Sequence, residues 1–348
     1  MTDYFISNAD FPELVNKLLM GSTVFAPVKQ FERHYITGII QSNIKDIDLF
    51  GFRTVEPFKS LFFAVSEVVS LYFKDAAEFE PKQITILGAR GCDLEALEVL
   101  DRVFGEGEFK DPFYLKRREK SLIIGADCTD CGKTCFCTLV GGQPYPLQRF
   151  DLNLSLISGG YVVTVGSEKG KKLIDDNKSL FPEASEERLK EKEDNRKKTI
   201  ELLSEVNKNY QFKLPISETY KRNLENPAWK TLTKDCVECS SCNLICPTCT
   251  CFFLADEKSA EGGERLKLWD TCLKSAYQKV AGGSNPRGKL SQRLQNRYHC
   301  KMDYSFDRLN RYTCVGCGRC IDGCAGNIDM RKIFAELERQ VPLTAKLV

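Results

Sequence analysis

Two cysteine runs constrain this chain more than any other feature. Cys236-x2-Cys239-x2-Cys242-x3-Cys246-Pro247 recurs as Cys314-x2-Cys317-x2-Cys320-x3-Cys324. This is the spacing with which a ferredoxin-type loop wraps a [4Fe-4S] cube. Three thiolates on one tight turn reach three irons, and the fourth cysteine, beyond the turn, serves the other cluster when a second copy is present. We therefore expect Cys236, Cys239, Cys242 and Cys324 to hold one cluster, and Cys314, Cys317, Cys320 and Cys246 the other. Gly316 and Gly318 suit the sharp backbone of the second loop. Ala325 stands where the motif usually has proline, a departure that removes no ligand.

Paired zinc knuckles are the competing use of such thiols, but two copies of the same four-cysteine spacing, with Pro247 in place, favour clusters. Cys242-x3-Cys246-x2-Cys249 also reads as the CxxxCxxC of radical S-adenosylmethionine enzymes, with Gly262-Gly263-Glu264 resembling their later GGE. The residues after Cys249 show no repeated strand-helix pattern from which a partial barrel could be built, and that reading is set aside.

The chain has 17 cysteines in 348 residues and only two histidines, His34 and His299, to share acid-base or metal work. Histidine-based catalysis is poorly provided for. The 50 Lys and Arg against 48 Asp and Glu leave a net charge of +2, which supplies no global field for nucleic acid or an anionic membrane. The start MTDYFISNAD lacks a basic region followed by an apolar one, and no apolar run is long enough to span a bilayer. With an odd cysteine count, these features suggest reduced thiols in a cytoplasmic protein.

Four cysteines in the first half form a third candidate set. Cys92 precedes a helix expected to open at Asp93, where backbone amides stabilise thiolates and anionic clusters. Cys128 follows the strand expected at 120–126, so both can sit at one sheet edge, with Cys135 and Cys137 supplied by a loop. A third cluster is expected there, against the alternative of free thiols, with Cys131 spare. Cys249, Cys251, Cys272 and Cys300 remain. A fourth [4Fe-4S] cluster, a four-cysteine zinc site and unliganded thiols are all open for them.

Periodicity suggests an α+β fold, an N-terminal mixed α/β domain followed by a helical domain carrying a two-cluster ferredoxin-like module. Residues 11–19 are helical in period, 22–27 and 83–87 read as strands, and 151–158 with 161–166 read as a hairpin about Gly159-Gly160. The expected division is an α/β domain at 1–167, a charged helical connector at 168–230 and the ferredoxin-like part at 231–348, closed by a helix at 331–339. No nicotinamide or flavin GxGxxG fingerprint, P-loop or HExxH motif is present; Gly88-Ala-Arg-Gly91 reads as an ordinary turn and Arg117, Arg118 and Lys120 as a solvated basic face.

With the motifs placed, the chain resembles the iron-sulfur β subunits of cytoplasmic sulfhydrogenases and the similar iron-sulfur subunit of anaerobic sulfite reductase. The stretches that carry the resemblance are GARGCDLEALEVLDRVF (88–104), KRREKSLIIGADC (116–128), CFC (135–137), CVECSSCNLICPTCTCF (236–252), GERLKLWDTC (263–272), AGGSNPR (281–287), NRYHCK (296–301) and YTCVGCGRCIDGC (312–324). It implies an electron-transfer role between two partners, a flavin/NAD(P)H-binding subunit on one side and a catalytic subunit handling hydrogen or sulfur substrates on the other. Two other classes are weighed against it: an iron-sulfur enzyme with its own substrate or nucleotide site, and a zinc-stabilised interaction protein.

Overall fold

A computed structural model describes residues 3–72, 79–258 and 262–340. The strands are β1 (Tyr4–Ser7), β2 (Thr23–Gln30), β3 (Arg33–Ile39), β4 (Ser66–Leu71), β5 (Ile84–Ala89), β6 (Ser121–Ala126), β7 (Leu152–Ile157), β8 (Gly160–Val165), β9 (Phe252–Glu257) and β10 (Glu264–Trp269). The helices are α1 (Phe11–Gly21), α2 (Gly91–Gly105), α3 (Pro112–Glu119), α4 (Glu168–Asp175), α5 (Glu186–Val206), α6 (Ile216–Arg222), α7 (Ala228–Leu232), α8 (Ser241–Leu244), α9 (Leu290–His299), α10 (Ser305–Leu309), α11 (Arg319–Asp322) and α12 (Met330–Arg339). The chain is α+β, and its contacts divide into two units. One comprises Met1–Phe63, Ala77–Glu205 and Val315–Cys317, the other Ala64–Ala76, Val206–Cys314 and Gly318–Val348.

The first unit is built on a seven-stranded sheet ordered β1-β8-β7-β6-β5-β2-β3. Its centre, β2-β5-β6-β7, is parallel, and its strands are correspondingly continuous in apolar character: β5 is ITILGA and β6 is SLIIGA, each almost wholly buried. Helix α1 places Leu14, Val15 and Leu18 against Val24, Leu87, Ile124 and Leu154 of the sheet. The hairpin β7–β8 turns through Gly159 at φ 81°, a conformation for which glycine has no steric penalty. Parallel strands present ligands outside their carboxyl ends. At those ends β5 leads into α2 and β6 into Asp127 and Cys128.

Two expectations change here. Helix α2 opens at Gly91, not Asp93, so Cys92 lies within the first turn. Gly91 permits this because a Cβ there would come 2.7 Å from the Gln143 carbonyl oxygen. The charged stretch expected as a solvated connector forms α4 and α5, and its residues through Glu205 group with the first unit. Sparse apolar residues are supplemented by polar docking: buried Lys192 reaches Asp3 at 2.7 Å, Arg196 reaches Asp127 at 2.8 Å, and Thr199 donates to the Cys128 carbonyl at 3.1 Å.

The second unit contains strands that the sequence did not lead us to expect. An antiparallel sheet ordered β4-β10-β9 interrupts the helical region 231–348 and recruits β4 from much earlier in the chain. Lys267 and Glu67 cross between β10 and β4 as a buried pair at 2.7 Å. The helices of this unit share an aromatic core, in which Trp229 stacks on Tyr298 and is tilted against Tyr220, and Tyr298 meets Phe334 edge-on. Among the described residues no helix is long and apolar enough to cross a membrane.

Candidate metal centres

The two ferredoxin-type loops use one backbone path with different residues. Gly316 and Gly318 have φ of 63° and 72°; at the corresponding positions of the first run, Glu238 and Ser240 have φ of 54° and 62°. In the first run the left-handed backbone at both positions turns Cys236, Cys239 and Cys242 toward one cavity. The first run bears this strain without glycine, and Glu238 is tied down by Arg293 at 2.7 Å. This equivalence is hidden in sequence because only the second run shows its glycines.

In the second unit one cavity is lined by Cys236, Cys239, Cys242 and Cys324, the set expected for one cluster, together with Cys320. Leu273, Leu294, Tyr298, Ile328 and Met330 supply apolar walls, and Arg297 the charge. The Ile328 amide donates to Cys324 Sγ at 3.3 Å. Burial raises the Cys242 thiol, with Arg297 acting in opposition; burial likewise raises Cys236. A cluster or metal would reverse this, since a coordinating thiol is deprotonated.

The cysteines of the other expected pairing face different surroundings. Cys320 lines the cavity just described and Cys317 lines one in the first unit, while Cys314 is half-buried. Cys246 is buried, 3.4 Å from Thr248 Oγ1, and its thiol is lowered by a hydrogen bond with Cys249.

The cavity of the first unit brings together Cys92, Cys128, Cys135 and Cys137, all four residues of the third set. It also contains Cys131, expected to be spare, and Cys317. Phe136 N–H donates to the Gly316 carbonyl at 2.8 Å, and Cys128 N–H to that of Pro144 at 2.8 Å. Burial pushes the Cys128 thiol up to about 12 and the Cys131 thiol up to about 11.

The last set is arranged in pairs. Cys251 and Cys272 share a hydrogen bond that lowers Cys272 to about 6 and raises Cys251, which also feels the charge of Cys300. Cys249 instead pairs with Cys246. Sequence analysis missed two residues in this neighbourhood: Arg297 and Lys301, each 3% exposed. Burial works against the charge on Lys301, but Cys246, Cys249 and Cys300 raise its pKa. The stretch NRYHCK contains both residues, yet nothing in its pattern distinguishes them from solvated charges.

Among the described residues, no group of three or more His, Cys, Asp or Glu side chains is arranged to hold a single metal ion. The thiols of the first run with Cys324, and those of the first-half set, instead line cavities, as ligands at the corners of a polynuclear cluster must. Buried Arg297 and Lys301 make no ion pair with Asp or Glu among the described residues, and an isolated buried cation calls for an anionic neighbour. Thiolate-ligated clusters meet both conditions, so the residues present fit the group.

The model of the 4Fe-4S dicluster domain family matches residues 235–328. The chain is also similar to sulfhydrogenase 2 subunit beta of Pyrococcus furiosus, with 28% identity over 331 residues that cover 94% of this chain and 96% of that protein. The region richest in cysteine thus matches a 4Fe-4S dicluster domain, and nearly the whole chain is similar to a sulfhydrogenase β subunit.

Proposed function

We propose that the chain is the electron-transfer subunit of a multisubunit cytoplasmic oxidoreductase. It relays electrons between a flavin subunit that handles NAD(P)H and a catalytic subunit of hydrogenase or sulfite-reductase type. The observation that carries this reading is the lining of one cavity by three cysteines of the first run and the last cysteine of the second. Bound [4Fe-4S] clusters supply one-electron steps. The protein's part is to hold thiolates, exclude water with apolar walls and place charge nearby.

In this reading Cys236, Cys239, Cys242 and Cys324 hold one cluster and Cys314, Cys317, Cys320 and Cys246 a second. Cys92, Cys128, Cys135 and Cys137 hold a third, with 1–167 as the cluster domain, 231–348 as the ferredoxin-like part, and 168–230, whose helix α5 is docked on the first unit, as the stretch that leads from one to the other. The fourth set, Cys249, Cys251, Cys272 and Cys300, binds a further cluster, zinc or nothing, which metal analysis separates.

The chain has many thiols but no dinucleotide fingerprint with which to take a hydride. Stopped-flow bleaching of the visible cluster absorbance tests the assignment. NAD(P)H alone should leave the isolated chain unreduced, whereas NAD(P)H with the flavin partner should bleach it. Rapid bleaching by NAD(P)H in the isolated chain would instead assign it a nucleotide site of its own, and a colourless zinc protein would end the redox reading.

A further inference from the structure

Helix α9 does not stop at His299 but continues through a π-helical turn, Cys300–Tyr304, into α10. Such turns re-aim the side chains of a helix and are frequent at functional sites. Here the helix buries Arg297 and, four residues on, Lys301, both without an Asp or Glu partner among the described residues.

Each cation is connected to a cysteine sulfur through one neutral side chain. Arg297 Nε donates to Asn243 Oδ1 at 2.7 Å, and Asn243 Nδ2 lies 3.2 Å from Cys272 Sγ. With its oxygen facing the guanidinium, the amide turns its NH2 group toward Thr271 Oγ1 at 2.7 Å and the Cys272 sulfur. Lys301 Nζ donates to Thr248 Oγ1 at 2.7 Å, and that hydroxyl lies 3.4 Å from Cys246 Sγ. An ammonium only donates, so the threonine oxygen accepts and its own proton is left for the sulfur. Arg297 also donates to the Cys242 carbonyl at 2.9 Å, which anchors it on the first ferredoxin run.

We propose that Lys301 is a redox-tuning residue, its buried charge being relayed through Thr248 to the Cys246 sulfur and holding the potential of the adjoining [4Fe-4S] cluster upward; Arg297 stands in the same relation, through Asn243, to Cys272. The physical reason is the sign of the charge added on reduction. A reduced cluster carries one more negative charge, with no bond made or broken in the protein, and nearby positive charge and hydrogen bonds to sulfur favour that state. Lys301 does not touch iron in this scheme; it acts through a ligand, as a positioning residue.

The inference rests on the clusters proposed above, and its test is an EPR-monitored redox titration of anaerobically reconstituted full-length protein with iron and sulfide counted. Lys301→Met removes the charge, Lys301→Arg retains it, and Thr248→Val keeps the charge but cuts the relay. In Lys301→Met the reduced-to-oxidised ratio of one cluster at fixed applied potential should fall by about tenfold, equivalent to about 59 mV for one electron. Lys301→Arg should restore most of it, and Thr248→Val should show a smaller shift in the same direction. Midpoints unchanged from wild type in iron-replete Lys301→Met overturn the proposal. If that variant holds no iron, Thr248→Val decides: a lowered midpoint supports the relay and an unchanged one overturns it. Wild-type protein without clusters would defeat the functional reading instead.

Discussion

Gly316 shows how much one residue can determine. Its φ is 63°, and a Cβ there would lie 2.5 Å from the Cys137 Cα and backbone nitrogen. Gly316→Ala should cost about 1–2 kcal/mol for left-handed backbone alone, and the clash with Cys137 adds to it. Denaturant unfolding and iron content of the anaerobic protein measure the two effects; loss of iron is expected from the centre that includes Cys137. A second residue-scale case is Asp101, remote from the thiols. Burial acts to raise its carboxyl, but Arg118 at 2.8 Å, Tyr114 and Arg149 outweigh burial and leave it lowered. A depressed folded-state value gives stability that is present above the unfolded carboxylate range and lost as pH falls through the folded value. Asp101→Asn should therefore destabilise the protein at pH 7, by about 1–3 kcal/mol, and by progressively less toward acid. Thermal melts across that range would detect a constant difference if the charge were irrelevant.

At the scale of elements, the paired loops make a crossed prediction. If the last cysteine of the second run serves the first cluster, Cys324→Ser should alter the EPR signal of the cluster held by Cys236, Cys239 and Cys242. A change confined to the cluster of its own run would reverse the assignment. Helix α7 supplies a packing test. Trp229 is 3% exposed and donates its indole N–H to the Asn223 carbonyl at 2.8 Å, so Trp229→Ala should cost about 3–5 kcal/mol in unfolding free energy. Helix α5 teaches a different lesson. Its apolar residues alone suggest a solvated rod, yet Lys192, Arg196 and Thr199 bind it by charge and hydrogen bonds, contacts that hydrophobic periodicity does not register.

For the whole molecule, iron content is the most direct measure of how many centres the thiols build. Anaerobically purified protein should contain about twelve irons if the first-half set binds a cluster beside the ferredoxin pair, about eight if it does not, and about sixteen if the last set binds one too. Fewer than eight in fully reconstituted protein would contradict the central assignment.

The sequence by itself determined the dicluster domain, because three thiols at two-residue intervals on one loop are a matter of local geometry, and no distant contact is needed to infer it. It also carried the central strands β5 and β6, α1 and the β7–β8 hairpin, whose periodicity follows from burial on known faces. Tertiary structure alone decided what is non-local. The parallel pairing of β5 and β6 brings Cys92 and Cys128 to one cavity and adds Cys131, while the pairing of β4 with β10 joins segments that spacing cannot connect. The burial of Arg297 and Lys301 belongs to the same class: a cation reads as solvated in a sequence until the fold removes its water and leaves it facing sulfur.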